Sequence, residues 1–331
     1  MAVTLREVAE RAGVSRAAVS RTFTEGASVS AKTRAKVMEA AEALGYRPNL
    51  LARSLTTRRT RMVGLVSNNF RNPVFLQIFD LFTREIQERG LRPLLVNLTD
   101  EVDPARSVGM LRQYSVDGVI VASSHLPDGF AAAFAAAGMP VVHAFGRAVG
   151  VPVVDVVAID NMGAGRMAAE ALVARGYGRI GFLGGPERAS TTEDRLAGFM
   201  AVARERGVEA VVRYAGAYSF EAGRAGMGRA LAEGVGVEAW FCGDDVLSMG
   251  ALAAVREAGL AVPGDVGIIG LNDMEMAGWA GVDLTTIHQP FADIVGAAVD
   301  LVERRMAEPE IAPEVRVFPC RVVERATLRG V

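Results

Sequence analysis

The polarity pattern opens with short amphipathic stretches. In TLREVAERAGVSRAAVSRTF, residues 4–23, the apolar positions Leu5, Val8 and Ala9 recur at helical spacing. Thr4 stands three residues before Glu7, the reciprocal capping arrangement that satisfies two orphan amides at a helix start. A helix is therefore predicted from Leu5. Gly13 supplies a tight turn, and Ser15 caps a second helix over about residues 16–22, with Val19 turned inward against Val8 and Ala9. Ser30 caps a third helix, with Val37, Met38, Ala41 and Leu44 at core spacing and Gly45 as its stop. Asn49 caps one or two helical turns through Leu55, and a polar, basic linker follows.

From Met62 the rhythm changes. Short β-rich runs, MVGLVS, RPLLVNL, GVIVASS, PVVHAF and VVDVVAI, alternate with helical stretches such as residues 75–88 and 105–114. The rhythm repeats in RIGFLGG, VVRYAG, AWFCGDD and VGIIGLND. Such alternation implies parallel sheets with crossover helices, and two comparable strand sets imply two lobes with a cleft between them. The expected fold class is an all-α helix-turn-helix head plus an α/β two-lobed body of two doubly wound parallel sheets. The head is expected over residues 1–48, a hinge helix and linker over 49–61, and the body over 62–331. Within the body, one lobe takes about residues 62–159 and 291–320, the other about 160–290 and 321–331, with crossings near Ile159, Gln289 and Pro319.

Charge sharpens the head. Residues 1–61 hold 12 Lys and Arg against 5 Asp and Glu, whereas the whole chain carries a net −2. A basic front segment with a helix-turn-helix is built to meet a polyanion. The second helix of such a unit enters the major groove, which turns Arg16, Ala17, Ser20 and Arg21 toward bases and phosphates.

Composition also excludes chemistries. Both lysines, Lys32 and Lys36, lie in the front segment, so the body has neither a phosphate-loop lysine nor a Schiff-base lysine. Cys242 and Cys320 show no pairing or metal pattern, which fits a reducing compartment. His125, His143 and His288 are scattered, and each reads as packed or solvent-facing. No nucleophile elbow or zinc signature occurs, and GAGRMA at residues 163–168 is too weak for a dinucleotide site. No catalytic residue, metal or cofactor is expected. Charges arrive early, at Arg6, Glu7, Glu10 and Arg11, so no signal or membrane segment is expected and the cytoplasm is the expected compartment.

Polar groups follow the strands of the body, where ligands of open α/β sheets bind. Asp160 and Asn161 follow VVAI; Thr191 and Arg195 lie in STTEDRLAGF; Asp244 and Asp245 follow AWFCG; Asn272 and Asp273 follow GIIGL; Gln289 follows TTIH. Carboxylates, an amide and an arginine suit vicinal hydroxyls, and Phe75 or Tyr218 can stack on a sugar ring. A sugar or related polyol is the first expectation. Asp160 and Asp244 serve equally well as helix caps, and Phe291 as a core aromatic.

AERAGVSRAAVSRTF, SAKTRAKVMEAAEALGYRPN and the following LARSL resemble the DNA-binding head and hinge of the LacI family of bacterial repressors, and the likeness continues through the body. The resemblance implies a periplasmic-binding-protein-like body and a regulator that binds a near-palindromic double-stranded operator as a homodimer under small-molecule control. It places Arg16, Ala17 and Arg21 at base-reading positions, and Leu55 as a minor-groove wedge. Thr4, Ser15, Ser20, Thr24, Asn49, Ala52 and Arg53 complete the expected DNA-facing set. Ala18 departs from the usual threonine and Thr24 from the usual asparagine. In the body it favours Arg195 and Asp273 as effector contacts, then Phe75, Thr191, Tyr218, Asp244, Asp245, Gln289 and Phe291. Other members take nucleobases, so effector chemistry stays open. The body alone also fits a solute-binding protein or an enzymatic module. The last predicted strand is followed by no heptad tail, which favours a dimer over a tetramer.

Overall fold

The computed structural model describes residues 3–24, 26–47, 59–68, 70–98, 103–123, 126, 129–148 and 150–330. The hinge positions Asn49, Ala52, Arg53 and Leu55, together with His125, lie outside the described residues. The chain forms two compact units, Met1–Thr60 and Arg61–Val331.

The first unit is three helices, α1 (Leu5–Ala12), α2 (Arg16–Thr22) and α3 (Ala31–Leu44). Each begins where a side-chain oxygen takes up an orphan amide: Thr4 accepts from Glu7 N–H, Ser15 from Ala18 N–H and Ser30 from Thr33 N–H. The Thr4–Glu7 pair is reciprocal, with Thr4 N–H donating to Glu7 Oε2 at 2.6 Å. Gly13 and Gly45 close α1 and α3 at φ +64°, a conformation a Cβ would oppose. The core is small: Val8, Ala9, Ala12, Val19, Val37, Ala40 and Ala41, flanked by Leu5, Phe23, Leu44 and Tyr46. One expectation is corrected here. Met38 is half exposed and Ala40 takes the core place, because Met38 lies one position round the helix from the buried Val37 stripe.

The second unit holds two six-stranded sheets. The first contains β1 (Met62–Ser67), β2 (Arg92–Asn97), β3 (Gly118–Ala122), β4 (Val141–Ala144), β5 (Asp155–Ile159) and β11 (Val315–Phe318), in the order β11-β5-β4-β3-β1-β2. The second contains β6 (Arg179–Gly184), β7 (Glu209–Tyr214), β8 (Ala239–Cys242), β9 (Gly267–Asn272), β10 (Thr286–His288) and β12 (Arg321–Val323), in the order β12-β10-β9-β8-β6-β7. Every pairing is parallel except β10 with β12. That edge strand arrives from the other lobe without a crossover helix, so nothing imposes the parallel direction on it. Central strands such as β3, β5 and β8 are buried throughout, as sheets covered on both faces require.

Helices α4 (Val74–Glu88), α5 (Pro104–Gln113) and α6 (Phe130–Ala136) belong to the first lobe, and α7 (Asn161–Ala174), α8 (Ser190–Arg206), α9 (Phe220–Ala232) and α10 (Asp245–Glu257) to the second. The chain returns through α11 (Phe291–Ala307), which packs on α4, β3, β4 and β5 of the first lobe. It therefore crosses between lobes after Ile159, after His288 and after Phe318.

In the second lobe the helices pair at backbone contact. A methyl group added at Gly165 of α7 would meet the carbonyl oxygen of Arg195, and one at Gly198 of α8 that of Met162. The same reciprocity joins α9 and α10, through Gly223 with Leu247 and Gly250 with Phe220. Among the described residues no helix is long and apolar enough to cross a membrane.

Candidate functional site

The head offers one polar face. Arg16, Ala17, Ser20 and Arg21 of α2 are exposed, while Val19 and Thr22 on its opposite side are buried. Arg21 folds back, its Nε donating to Ala17 O at 3.3 Å, and Thr24 Oγ1 donates to Ser20 O at 2.9 Å. Arg34 ties α3 to this helix by donating to Thr22 O at 2.9 Å. The exposed face thus carries two arginines on one short helix, and a major groove admits an α-helix.

In the body, a cavity of about 50 Å³ opens between the carboxyl ends of the two sheets. Of the ten positions expected there, Phe75, Thr191, Arg195, Tyr218, Asp244, Gln289 and Phe291 line it. Arg195 is buried at 7% exposure and held at two points: Nε donates to Asn161 Oδ1 at 2.9 Å, and Nη1 to Gly243 O at 2.7 Å. Its Nη2 donates to no group among the described residues. Thr191, one turn earlier on α8, buries a hydroxyl that finds no partner among the described residues. Native folds rarely tolerate such a group unless something else meets it. The amides of Gln289 and Asn272 are likewise buried and face the cavity. Tyr218 is anchored by its hydroxyl, 2.8 Å from Thr192 Oγ1.

One wall is aromatic. Phe145 meets Phe75 and Phe291 edge-on, with ring centroids 6.4 and 6.1 Å away. Phe145 sits at φ +64°, a costly conformation for a bulky side chain, which suggests that the ring's position there matters.

Three expected positions do not line the cavity. Asp160 is spent as the cap of α7, accepting from Gly163 N–H at 2.8 Å, and its neighbour Asn161 lines the cavity instead. Asp245 is fully buried, accepting from Thr286 Oγ1 at 2.5 Å and Met274 N–H at 2.8 Å, so it pins α10 to β9 and β10. Burial pushes its carboxyl up to about 7. Asp273 receives Arg325 Nη2 at 2.6 Å and lies 3.0 Å from His288 Nδ1, and Asn272 lines the cavity in its place. Burial raises the Asp273 carboxyl, but the bonds from Arg325 and His288 outweigh it and hold the group below its ordinary value.

Asp244 has a double role. Its Oδ1 caps α10 by accepting from Leu247 N–H at 2.7 Å, and its Oδ2 accepts from Asn72 Nδ2 of the opposite lobe at 2.6 Å. Burial raises this carboxyl as well. Asn72, Phe145 and Arg147 were not picked out by the sequence reading. Asn72 does carry a signal, since an Asn-Pro pair ahead of an apolar helical run is a capping pattern.

Two family models match the chain: bacterial regulatory proteins of the lacI family over residues 4–49, and a periplasmic binding protein-like domain over residues 169–328. The HTH-type transcriptional repressor PurR of Proteus mirabilis is 32% identical over 333 residues, covering 98% of this chain and 96% of its own. The HTH-type transcriptional regulator CelR of Thermobifida fusca is 36% identical over 297 residues, 87% of each. Among solved structures, the lac repressor dimer bound to operator and the anti-inducer ONPF superposes with a TM-score of 0.88 at 27% identity, covering 99% of this chain and 100% of that one. A CelR–cellobiose complex gives 0.73 at 31% identity, covering 98% and 99%.

A helix-turn-helix head followed by a two-lobed body with a ligand cavity defines a DNA-binding transcription regulator. The chain belongs to the lacI family of bacterial regulatory proteins.

Proposed function

We propose that this regulator binds a near-palindromic operator as a homodimer in the cytoplasm, and that a neutral sugar or polyol in the body cavity sets its affinity for DNA. The observation that carries the effector half is the set of unused polar groups in the cavity. The Thr191 hydroxyl and the amides of Asn272 and Gln289 both donate and accept, and Arg195 Nη2 donates, beside an aromatic wall. That mixture suits hydroxyl groups on an apolar ring face. The complexes of related proteins with ONPF and with cellobiose support the same class.

On this reading, residues 1–48 are the head, 49–61 the hinge and 62–331 the body. Thr4, Ser15, Arg16, Ala17, Ser20, Arg21 and Thr24 face the operator, and Asn49, Ala52, Arg53 and Leu55 act at the hinge. The body acts by binding, without turnover. Effector binding changes lobe closure, and closure biases the hinge by a coupling of about 1–3 kcal/mol.

The test begins with thermal melting of the purified protein against sugars, polyols, sugar phosphates and nucleobases. An operator selected from random duplex DNA is then titrated with and without each hit. A sugar that stabilises the protein and shifts operator affinity at least fivefold supports the reading. A hit that leaves DNA binding unchanged, or that is consumed, overturns it.

A further inference from the structure

Asn72 and Asp244 meet inside the cavity from opposite lobes. Asn72 is 2% exposed and precedes α4 of the first lobe; Asp244 is 3% exposed and caps α10 of the second. The orientation of the Asn72 amide is fixed locally, because its Oδ1 accepts from Val74 N–H at 3.1 Å. That turns its Nδ2 toward the cleft, where it donates to Asp244 Oδ2 at 2.6 Å.

We propose that this bond is a cross-lobe latch which the effector replaces, and that Asn72 selects an effector whose hydroxyl inserts between the two side chains. The proposal rests on the polyol reading of the cavity given above. A hydroxyl is the group that fits, since the same oxygen accepts from the amide and donates to the carboxylate. Neither buried group then loses its partner, a loss that is expensive in a dry site. A ring N–H donates but does not accept, so a base answers both side chains only by bringing a second atom, a ring nitrogen or a carbonyl oxygen, to the amide. A phosphate monoester brings about two negative charges against one lining cation, Arg195, and one lining anion, Asp244. The latch thus favours a neutral hydroxyl over a phosphate.

Three variants test it. Asn72→Asp keeps the acceptor for Val74 N–H but turns a second carboxylate oxygen toward Asp244. Asp244→Asn keeps the cap on Leu247 but sets two amide donors face to face. The double variant Asn72→Asp/Asp244→Asn restores one donor and one acceptor with the polarity reversed.

The first readout is the interlobe distance in the ligand-free, full-length protein, from spin labels on one exposed position of each lobe. Both single variants should lengthen and broaden it, and the double variant should restore it. The second is affinity for D-glucose, D-ribose, myo-inositol, cellobiose, D-glucose 6-phosphate and hypoxanthine. The wild type should bind a neutral hydroxylated probe, each single variant should bind it at least tenfold more weakly, and the double variant should recover most of that loss.

Unchanged interlobe distances in both single variants overturn the latch. A sugar that binds the single variants as tightly as the wild type overturns the selecting role of Asn72. If the wild type binds only the phosphate or the base, the polyol reading falls and the selecting role with it, while the distances still decide the latch.

Discussion

The guanidinium of Arg147, on the segment after β4, forks the carboxylate of Asp194 on α8: Nε lies 2.9 Å from Oδ2 and Nη2 lies 2.6 Å from Oδ1. The same side chain donates to Ser190 O at 2.8 Å and to Glu193 Oε2 at 3.0 Å. Four bonds thus join the two lobes outside the effector cavity. Both partners remain about a quarter exposed, which limits what the fork contributes. Arg147→Gln should destabilise the body by about 1–2 kcal/mol in urea unfolding and weaken a closure-dependent effector about 5- to 30-fold. An unchanged melting midpoint and effector affinity would show that the fork is incidental.

Asp245 predicts a pH dependence of opposite sign to the usual carboxylate. Its folded value, about 7, lies above the ordinary one, so the folded chain binds a proton that the unfolded chain has released. This group therefore favours folding least above pH 7, and stability should fall as pH rises from about 4 to 7. Asp245→Asn keeps an acceptor for Met274 N–H and offers an amide to Thr286 Oγ1. It should flatten that part of the profile, by an amount on the order of a few kcal/mol at most. Equal slopes for both proteins, followed by thermal melting from pH 5 to 8, would remove Asp245 as the source. Asp273 runs the other way: its lowered value adds stability at neutral pH that is lost as pH falls through the acid range.

The paired helices of the second lobe give a sharp contrast between glycines. Gly198→Ala and Gly250→Ala push a methyl group into a backbone carbonyl that cannot rotate away, and each should cost about 1–3 kcal/mol. Gly228→Ala on α9 meets open space at an ordinary helical φ and should gain about 0.4–1 kcal/mol. Chemical unfolding of the three proteins side by side decides the matter.

Arg195 is positioned rather than merely charged, held by Asn161 and by Gly243 O. Arg195→Ala should abolish the effector response while leaving effector-free operator binding intact, and Arg195→Lys should rescue little, because an ammonium lacks the planar fork. Loss of operator binding in both variants would instead mark Arg195 as a structural support.

On the head, Arg16→Ala should cost about 1–3 kcal/mol at one base position of the selected operator and relax specificity there. A uniform loss across sequences, with a shallower salt dependence, would assign Arg16 to phosphate instead.

The head was legible because its signals are local: Thr4 with Glu7, Ser15, Ser30, Gly13 and Gly45 each act within a few residues of where they stand. The strands were legible for the same reason, since runs such as GVIVAS are buried on both faces. The cavity was legible only to the nearest residue. Asp160 and Asn161, like Asn272 and Asp273, adjoin each other at a strand's carboxyl end, and one of each pair lines the cavity while the other goes to a cap or an ion pair. Sequence spacing does not say which. Nor does it reveal Asn72 with Asp244 or Arg147 with Asp194, because these contacts join segments that only the closure of two lobes brings together. Met38 shows the same limit at small scale, one helical step from the face assigned to it.

The interleaving of the two sheets also sets an order of events during synthesis. Val315 on β11 pairs with Val156, and Arg321 on β12 pairs with His288, so the first lobe waits for its edge strand until almost all of the second has been made. Two cavity walls, Gln289 and Phe291, emerge nearly as late. The three helices of the head, by contrast, need nothing beyond their own small core. On the ribosome, the head can therefore pack its core long before the walls of the cavity have all been made.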